Sequence, residues 1–318
     1  MPNAIRIAIA NQKGGVGKTT NSVMTAYQLA KKGYKTLVCD LDPQSNATHL
    51  LTRTYARQNN QSEKEFVKEL NKKSKDKLSK ADIDKEVEEV FKERERKQLR
   101  IKETMMLALS EGDIKNAIVK VMDNLYLLPS SDDFTEYPDF LEMTFMPNEE
   151  NYKEKRISYF AKQLDKVKEN YDFVIVDVPP TLSVFTDSAV YAADDIIIVL
   201  QTQQDSLDGA EAFFVYLQKM FNNYPAISFN ILGVLPVLLE NRAGLDTQIL
   251  KDAKESFGKD GVFKNIIKHM ERLKRFGRMG IADKDAEYGK GDFHDIKVHY
   301  VYNRLTDEIL ERLKKLEG

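Results

Sequence analysis

Eight residues, Lys13-Gly-Gly-Val-Gly-Lys-Thr-Thr20, set the strongest constraint on what this chain can fold into. They follow a short apolar run of β character, Ile5–Ala10. They precede a segment from Thr19 to Lys32 in which Val23, Ala26, Tyr27 and Ala30 recur at helical spacing, with Gly33 as its C-cap. A second apolar run, Thr36–Cys39, comes next. Strand, glycine-rich turn, helix and strand in this order predict a β-α-β unit, whose crossover makes the two strands parallel. The glycines let backbone N–H groups curl around an anion, and the helix N-terminus adds the positive end of its dipole. The spacing is that of a phosphate loop, G-x-x-x-x-G-K-[ST], except that Gln12 stands where the first glycine would. Lys18 is expected to reach the β- and γ-phosphates of a nucleotide and Thr19 to ligate Mg²⁺. Gly14, Gly15, Val16, Gly17 and Thr20 complete the expected nucleotide-binding loop.

Carboxylates follow in the order that phosphate chemistry needs. Asp40-Leu-Asp-Pro-Gln44 closes the second strand. A carboxylate at the carboxyl end of a strand beside a phosphate loop is placed to orient water or to hold Mg²⁺ through water. Further on, Tyr171-Asp-Phe-Val-Ile-Val-Asp177 is apolar after Asp172, as an interior parallel strand is, and ends in an aspartate suited to meet the same metal ion. Pro179-Pro180 stiffens the next loop. The guanine-reading pattern N/T-K-x-D has only a near match, Ser79-Lys-Ala-Asp82, in a helical context. ATP is therefore expected rather than GTP.

Composition bounds the rest. The 318 residues are 42% hydrophobic and 31% charged, enough apolar material for a core. A formal net charge of −2 gives no global attraction to nucleic acid or anionic lipid, so any such surface must be local. One cysteine, Cys39, excludes a disulfide framework and a cysteine-rich metal site and suits a reducing cytosol. The N-terminal apolar run lacks a basic flank and a cleavage site, and no stretch approaches the ~18 apolar residues of a membrane span. A secreted or membrane-spanning chain is not expected. Asn124–Pro129, Ile196–Leu200 and Ile231–Pro236 read as further strands. Ile157–Asn170, Thr247–Phe257 and Leu305–Leu316 read as helices. Between Arg53 and Glu103 there are 16 Lys and Arg against 12 Asp and Glu, no Pro or Gly, and helical spacing in Phe66/Leu70 and Val87/Val90/Phe91. One or two long, exposed helices are expected there. The fold expected is a doubly wound α/β domain over 1–318, its sheet mainly parallel, with a charged helical insertion at 53–103. His269, His294 and His299 lack metal spacing and carry no chemistry in this reading.

The extra lysine before the glycines, Lys13, together with Asp40-Leu-Asp-Pro-Gln and Asp177-Val-Pro-Pro, resembles the deviant Walker A family of P-loop ATPases, and within it the ParA/Soj partition ATPases. Asn124–Ser130, Leu200-Gln-Thr with Leu207-Asp-Gly209, Gly233–Arg242 and Val262–Leu273 resemble further landmarks of that family. The resemblance covers nearly everything outside 53–103. It implies an ATP-sandwich homodimer in which Lys13 works in trans and Lys18 in cis. It implies that Asp42 polarises the attacking water, that Thr19 and Asp177 meet Mg²⁺ and that Asp40 supports that shell. Val178 is a mild departure; Ile267-Lys-His-Met270 lacks the family's asparagine near adenine; Glu240-Asn-Arg242 keeps only the arginine of its motif.

The resemblance also implies slow ATP hydrolysis stimulated by a ParB-like or other centromere-binding partner, and sequence-independent binding of double-stranded DNA in a cytoplasmic, nucleoid-associated protein. By position Arg242 and Arg272 carry over as DNA contacts. Locally, Lys264, Lys268, Arg272, Lys274, Arg275 and Arg278 face only Glu271, a basic run on an otherwise acidic chain. No separate helix-turn-helix precedes residue 10, which favours nonspecific binding. A MinD-like membrane-cycling ATPase is the sibling alternative, but Asp307, Glu308, Glu311 and Glu317 on the terminal helix disfavour anionic lipid. A nucleotide-gated regulator of plasmid replication or transcription is the alternative from another class. A nitrogenase-iron-protein role fails, since one cysteine cannot hold a cluster.

Overall fold

The computed structural model describes residues 4–59, 99–239, 244–282 and 293–317. Its strands are β1 (Ile5–Ala10), β2 (Thr36–Asp40), β3 (Val119–Met122), β4 (Leu125–Leu128), β5 (Phe173–Asp177), β6 (Asp195–Gln201), β7 (Asn230–Leu239) and β8 (Ile267–Lys268). They form one sheet in the order β3-β4-β2-β5-β1-β6-β7-β8. Every pairing is parallel except β3 with β4. The helices are α1 (Lys18–Lys31), α2 (Asn46–Asn59), α3 (Met105–Glu111), α4 (Tyr137–Thr144), α5 (Tyr152–Asp165), α6 (Val184–Ala192), α7 (Gln204–Asn223), α8 (Leu245–Phe257), α9 (Glu271–Met279) and α10 (Phe293–Glu317). This is the doubly wound, mainly parallel α/β architecture that the sequence pattern predicts.

Two cores lie on the two faces of the sheet, and the strands alternate between them as a period of two requires. Ile7, Ile9, Val38, Ile175, Ile197 and Val199 face the core built with α1, α2, α9 and α10. Ala8, Ala10, Leu37, Cys39, Val174, Val176, Ile196 and Ile198 face the core built with α3 to α8. All five residues of β5 are buried, which explains its unbroken apolar run. Cys39 is buried in β2 and free.

Several elements depart from their predicted extents. The helix expected from Leu305 begins at Phe293, and the one expected over 157–170 spans Tyr152–Asp165, followed by a short 3₁₀ turn at Lys168–Asn170. Of the charged segment 53–103, residues 53–59 continue α2; residues 60–98, and with them the expected helical insertion, lie outside the described residues.

The α10 helix docks on the sheet through Val298, Tyr302, Leu305, Ile309 and Leu313, and Leu310 is partly buried. Arg312 fixes its last turns. Its guanidinium donates to the carbonyls of Leu232 (3.0 Å), Asp260 (2.7 Å) and Val262 (2.9 Å) and to Glu308 (2.9 Å), over the face of Phe263. Truncating it leaves the buried Glu308 carboxylate and three carbonyls short of a donor. We expect Arg312→Ala to lose about 3–5 kcal/mol of unfolding free energy in a denaturant titration. A loss under about 1 kcal/mol would show that α10 is held by apolar contact alone.

Candidate active site

The site lies where β1, β2 and β5 end together. Parallel register sets Ile9 beside Asp177 and Asp177 beside Asp40, so the chain leaving β1 meets one aspartate on the adjoining strand β5 and a second one strand further on. This is the carboxyl edge of an open α/β sheet, where such folds bind ligands. The loop from β1 to α1 turns through Gly15 and Gly17, with φ of 74° and 84°, a left-handed conformation that a Cβ would strain. Gly17 stands at the N-cap of α1, so the helix opens on bare N–H groups. Asn11, which sequence reasoning passed over, braces the loop: its Oδ1 accepts from the Lys13 amide (2.9 Å), and its Nδ2 donates to the carbonyl of Val199.

Lys18 is mostly buried, and its ammonium donates to the carbonyl of Lys13 (2.9 Å). Burial lowers its pKa, while Asp177 and Asp42 act in the opposite direction. Asp177 is fully buried. One oxygen accepts from Ser22 (2.8 Å), and the nearby Thr19 hydroxyl acts with it to lower the pKa against the effect of burial. Its Oδ2 is buried with no hydrogen-bond partner. Asp40 is equally buried but spends its oxygens inside the protein. They accept from the Thr48 amide and hydroxyl, each at 2.8 Å, and from the Asp42 amide at 3.3 Å. Asp40 thereby holds the first turn of α2, and Thr48 in turn accepts from the Ser130 amide at the end of β4 (2.9 Å). Burial raises the pKa of both Asp40 and Asp177; proximity to Asp177 adds to the rise at Asp40, and Asp42 adds to it at Asp177. Asp42 is oriented by the Gln44 amide (2.9 Å) and lines the cleft.

The cleft has a volume of about 510 Å³. Gly14, Gly15, Gly17, Lys18, Thr19 and Thr20 form its floor, and Pro180 packs beside Gly14. Its far wall was not legible beforehand: His49, Leu50 and Arg53 of α2, and Gly277 of α9. Their separation in the chain carries no spacing signal. Lys13 does not line this cleft; its side chain, 30% exposed, lies 3.6 Å from the largely exposed Asp205 on α7. An exposed pair of this kind is worth under about 1 kcal/mol, so it does not fix the lysine in place. The residues fit a divalent cation held together with a bound phosphate: two carboxylates, Asp177 and Asp42, face the Lys18 ammonium, and a buried Asp177 oxygen lacks a partner.

The basic run of the sequence does not form one surface. Lys268, Lys274, Arg275 and Arg278 are exposed, Lys274 pairing with Glu271. Arg272 instead forms a two-pronged, nearly buried ion pair with Asp295 that ties α9 to α10. Lys264 borders a different cleft, near Arg312. Arg242 lies outside the described residues. His299 is buried between Gln28 and the carbonyl of Ala282, and His269 and His294 border a cleft with Arg275 and Lys297.

Because burial raises the pKa of Asp177 to about 6 and of Asp40 to about 8, the folded chain keeps these protons to higher pH than the unfolded one, and its stability in the absence of metal falls as pH rises from about 4 toward 8. Asp177→Asn is expected to flatten that slope in thermal melts between pH 5 and 8. An unchanged slope would place the proton uptake elsewhere.

A family model described as an AAA domain, AAA_31, matches residues 4–228. The chain is 28% identical over 268 residues to the sporulation initiation inhibitor protein Soj of Bacillus subtilis, covering 84% of this chain and 85% of that protein. It is 26% identical over 313 residues to the chromosome-partitioning ATPase Soj of Thermus thermophilus, covering 98% and 97%. Among solved structures, the fold matches Cyanothece McdA in a complex with ATP at a TM-score of 0.68 and 17% identity, covering 98% of both chains. It matches cobyrinic acid a,c-diamide synthase of Mycobacterium smegmatis with bound ADP and magnesium at 0.65 and 21%, covering 98% of this chain and 96% of that one. It also matches a plasmid partition protein of Borrelia burgdorferi B31 bound to AMPPNP at 0.63 and 19%, covering 98% and 99%. The chain belongs to the AAA_31 family and, within it, to the ParA/Soj family of P-loop partition ATPases.

Proposed function

We propose that this chain is a Mg²⁺-dependent ATPase of DNA segregation that dimerises on ATP, binds duplex DNA without sequence preference in that state, and hydrolyses ATP slowly until a centromere-binding partner of the ParB type accelerates it. One observation carries the reading. A left-handed glycine loop, preceded by an additional lysine, presents Lys18 next to a buried aspartate that has one open oxygen.

The roles follow from the placement. The amides of Gly14 to Thr20 and the Lys18 ammonium bind the phosphates of ATP, and they do so without reorganising, because the loop is already held open by Asn11. Thr19 and the open oxygen of Asp177 would hold Mg²⁺, with Asp40 behind them. The metal, when bound, supplies charge neutralisation on the β- and γ-phosphate oxygens. Asp42, fixed by the Gln44 amide, orients a water toward the γ-phosphate. Lys13 of one protomer adds positive charge to the nucleotide of the other, as an arginine finger does, so that hydrolysis waits for dimerisation. DNA phosphates meet Lys268, Lys274, Arg275 and Arg278, together with Arg242, while Arg272 keeps α9 seated through Asp295. The buried apolar face of α10 supports this over a membrane-cycling mode, because the face a membrane helix would insert is already packed.

Binding to nonspecific duplex with ATP, ADP or no nucleotide, across a salt series, tests the reading. Tight binding is expected with ATP alone. Lys13→Ala should lose both dimer and DNA binding, and each of Lys274→Ala, Arg275→Ala and Arg278→Ala should reduce the salt slope by about 1. No binding in any nucleotide state would sink the DNA role. In the same preparations Asp42→Ala should retain ATP binding and lose about 10²–10⁴-fold in turnover. Unchanged turnover would remove Asp42 from the chemistry.

A further inference from the structure

The wall of the nucleotide cleft and the basic helix α9 share a seam. Arg53, on the cleft wall, donates from its guanidinium to the carbonyl of Gly277, which lines the same cleft. One turn along α2, Arg57 donates to the carbonyl of Gly280 (3.0 Å), so two arginines engage the C-terminal carbonyls of α9. Thr54, between them, accepts from the Ile281 amide (3.0 Å) in a buried contact. The two backbones nearly touch: a Cβ on Gly280 would lie 2.4 Å from the Arg53 carbonyl oxygen, at a φ of +80° that already favours glycine. At its other end, α2 is gripped by Asp40 through Thr48, beside the residues that meet the phosphates. No slack remains along this path. A displacement of α2 at the cleft must carry the end of α9 with it or break three hydrogen bonds.

We propose that α2 is a strut that transmits occupancy of the nucleotide cleft to α9, with Arg53, Thr54 and Arg57 as positioning residues and Gly280 as the point of closest approach. A nucleotide in the cleft touches a wall made jointly by α2 and α9, so its binding energy differs between seam arrangements, as a population shift requires. The exposed cations of α9, Lys274, Arg275 and Arg278, are then turned or steadied by what the cleft holds. The DNA consequence rests on the function proposed above; the mechanical coupling does not.

Hydrogen exchange of the 271–282 amides, measured with AMPPNP and Mg²⁺, with ADP and without nucleotide, reads the strut directly. In the wild type, α9 exchange should change at least fivefold on AMPPNP binding, together with residues 13–20. Arg57→Ala, which lies away from the loop, should keep the response at 13–20 and lose it at 271–282. Gly280→Ala should do the same, with the thermal melt of each variant reporting folding. An α9 that ignores nucleotide in the wild type, or one that responds equally in Arg57→Ala, overturns the proposal. In a parallel measurement the ratio of DNA affinities with ATP and ADP should fall toward one in Arg57→Ala. If the wild type binds no DNA at all, the segregation reading fails while the exchange result still decides the strut.

Discussion

Two carboxylates stand in register at the ends of neighbouring parallel strands, both sealed from solvent, and the nucleotide end of this fold is arranged around them. An uncompensated buried charge is among the most unfavourable things a protein can contain. Asp177 recruits the hydroxyl of Ser22 from the first turns of α1, and the Thr19 hydroxyl and the ammonium of Lys18 lie nearby. Asp40 recruits Thr48 from the start of α2, and Thr48 reaches on to the end of β4. Three strands and two helices are thus fixed relative to one another by the need to satisfy two side chains. The compensation is incomplete, since one Asp177 oxygen has no partner. A protein built for stability alone would not keep such a group; a site that binds a cation has a use for it.

The phosphate loop and its aspartates were legible in the sequence because their geometry is local. A strand, a glycine turn and a helix start lie within the fourteen residues Ile5 to Lys18, and an apolar run ending in Asp needs no knowledge of its neighbours. Element boundaries were less legible, for physical reasons. The first turns of α10 carry Phe293, Ile296 and Tyr300 on the solvent side, so the apolar period is blurred there and becomes clear only from Leu305. Likewise α5 opens on Tyr152-Lys-Glu-Lys, whose charges mask a helix that tertiary packing nonetheless continues.

Charge was the least transferable signal. Six cations between 264 and 278 read as one patch, yet Arg272 is committed to Asp295 and Lys264 faces another cleft. A linear count registers cations but not their partners. The partner of Arg272 stands 23 positions further on and becomes its neighbour only when α9 and α10 cross. Burying that pair between two helices turns a residue suited to contacting phosphate into one that holds the basic helix in place.

What the sequence determined by itself is the chemistry: which residues can cradle phosphates, which carboxylates can meet a metal ion or a water, and that the strands bearing them run parallel. These follow from spacing along a few turns of chain, where covalent geometry leaves few alternatives. Only the tertiary structure decided the strand order, the use of Asp40 as an anchor for α2, and the far wall formed by His49, Arg53 and Gly277. Those depend on contacts between segments up to 224 residues apart, which form because two apolar faces of one sheet had to be covered at once.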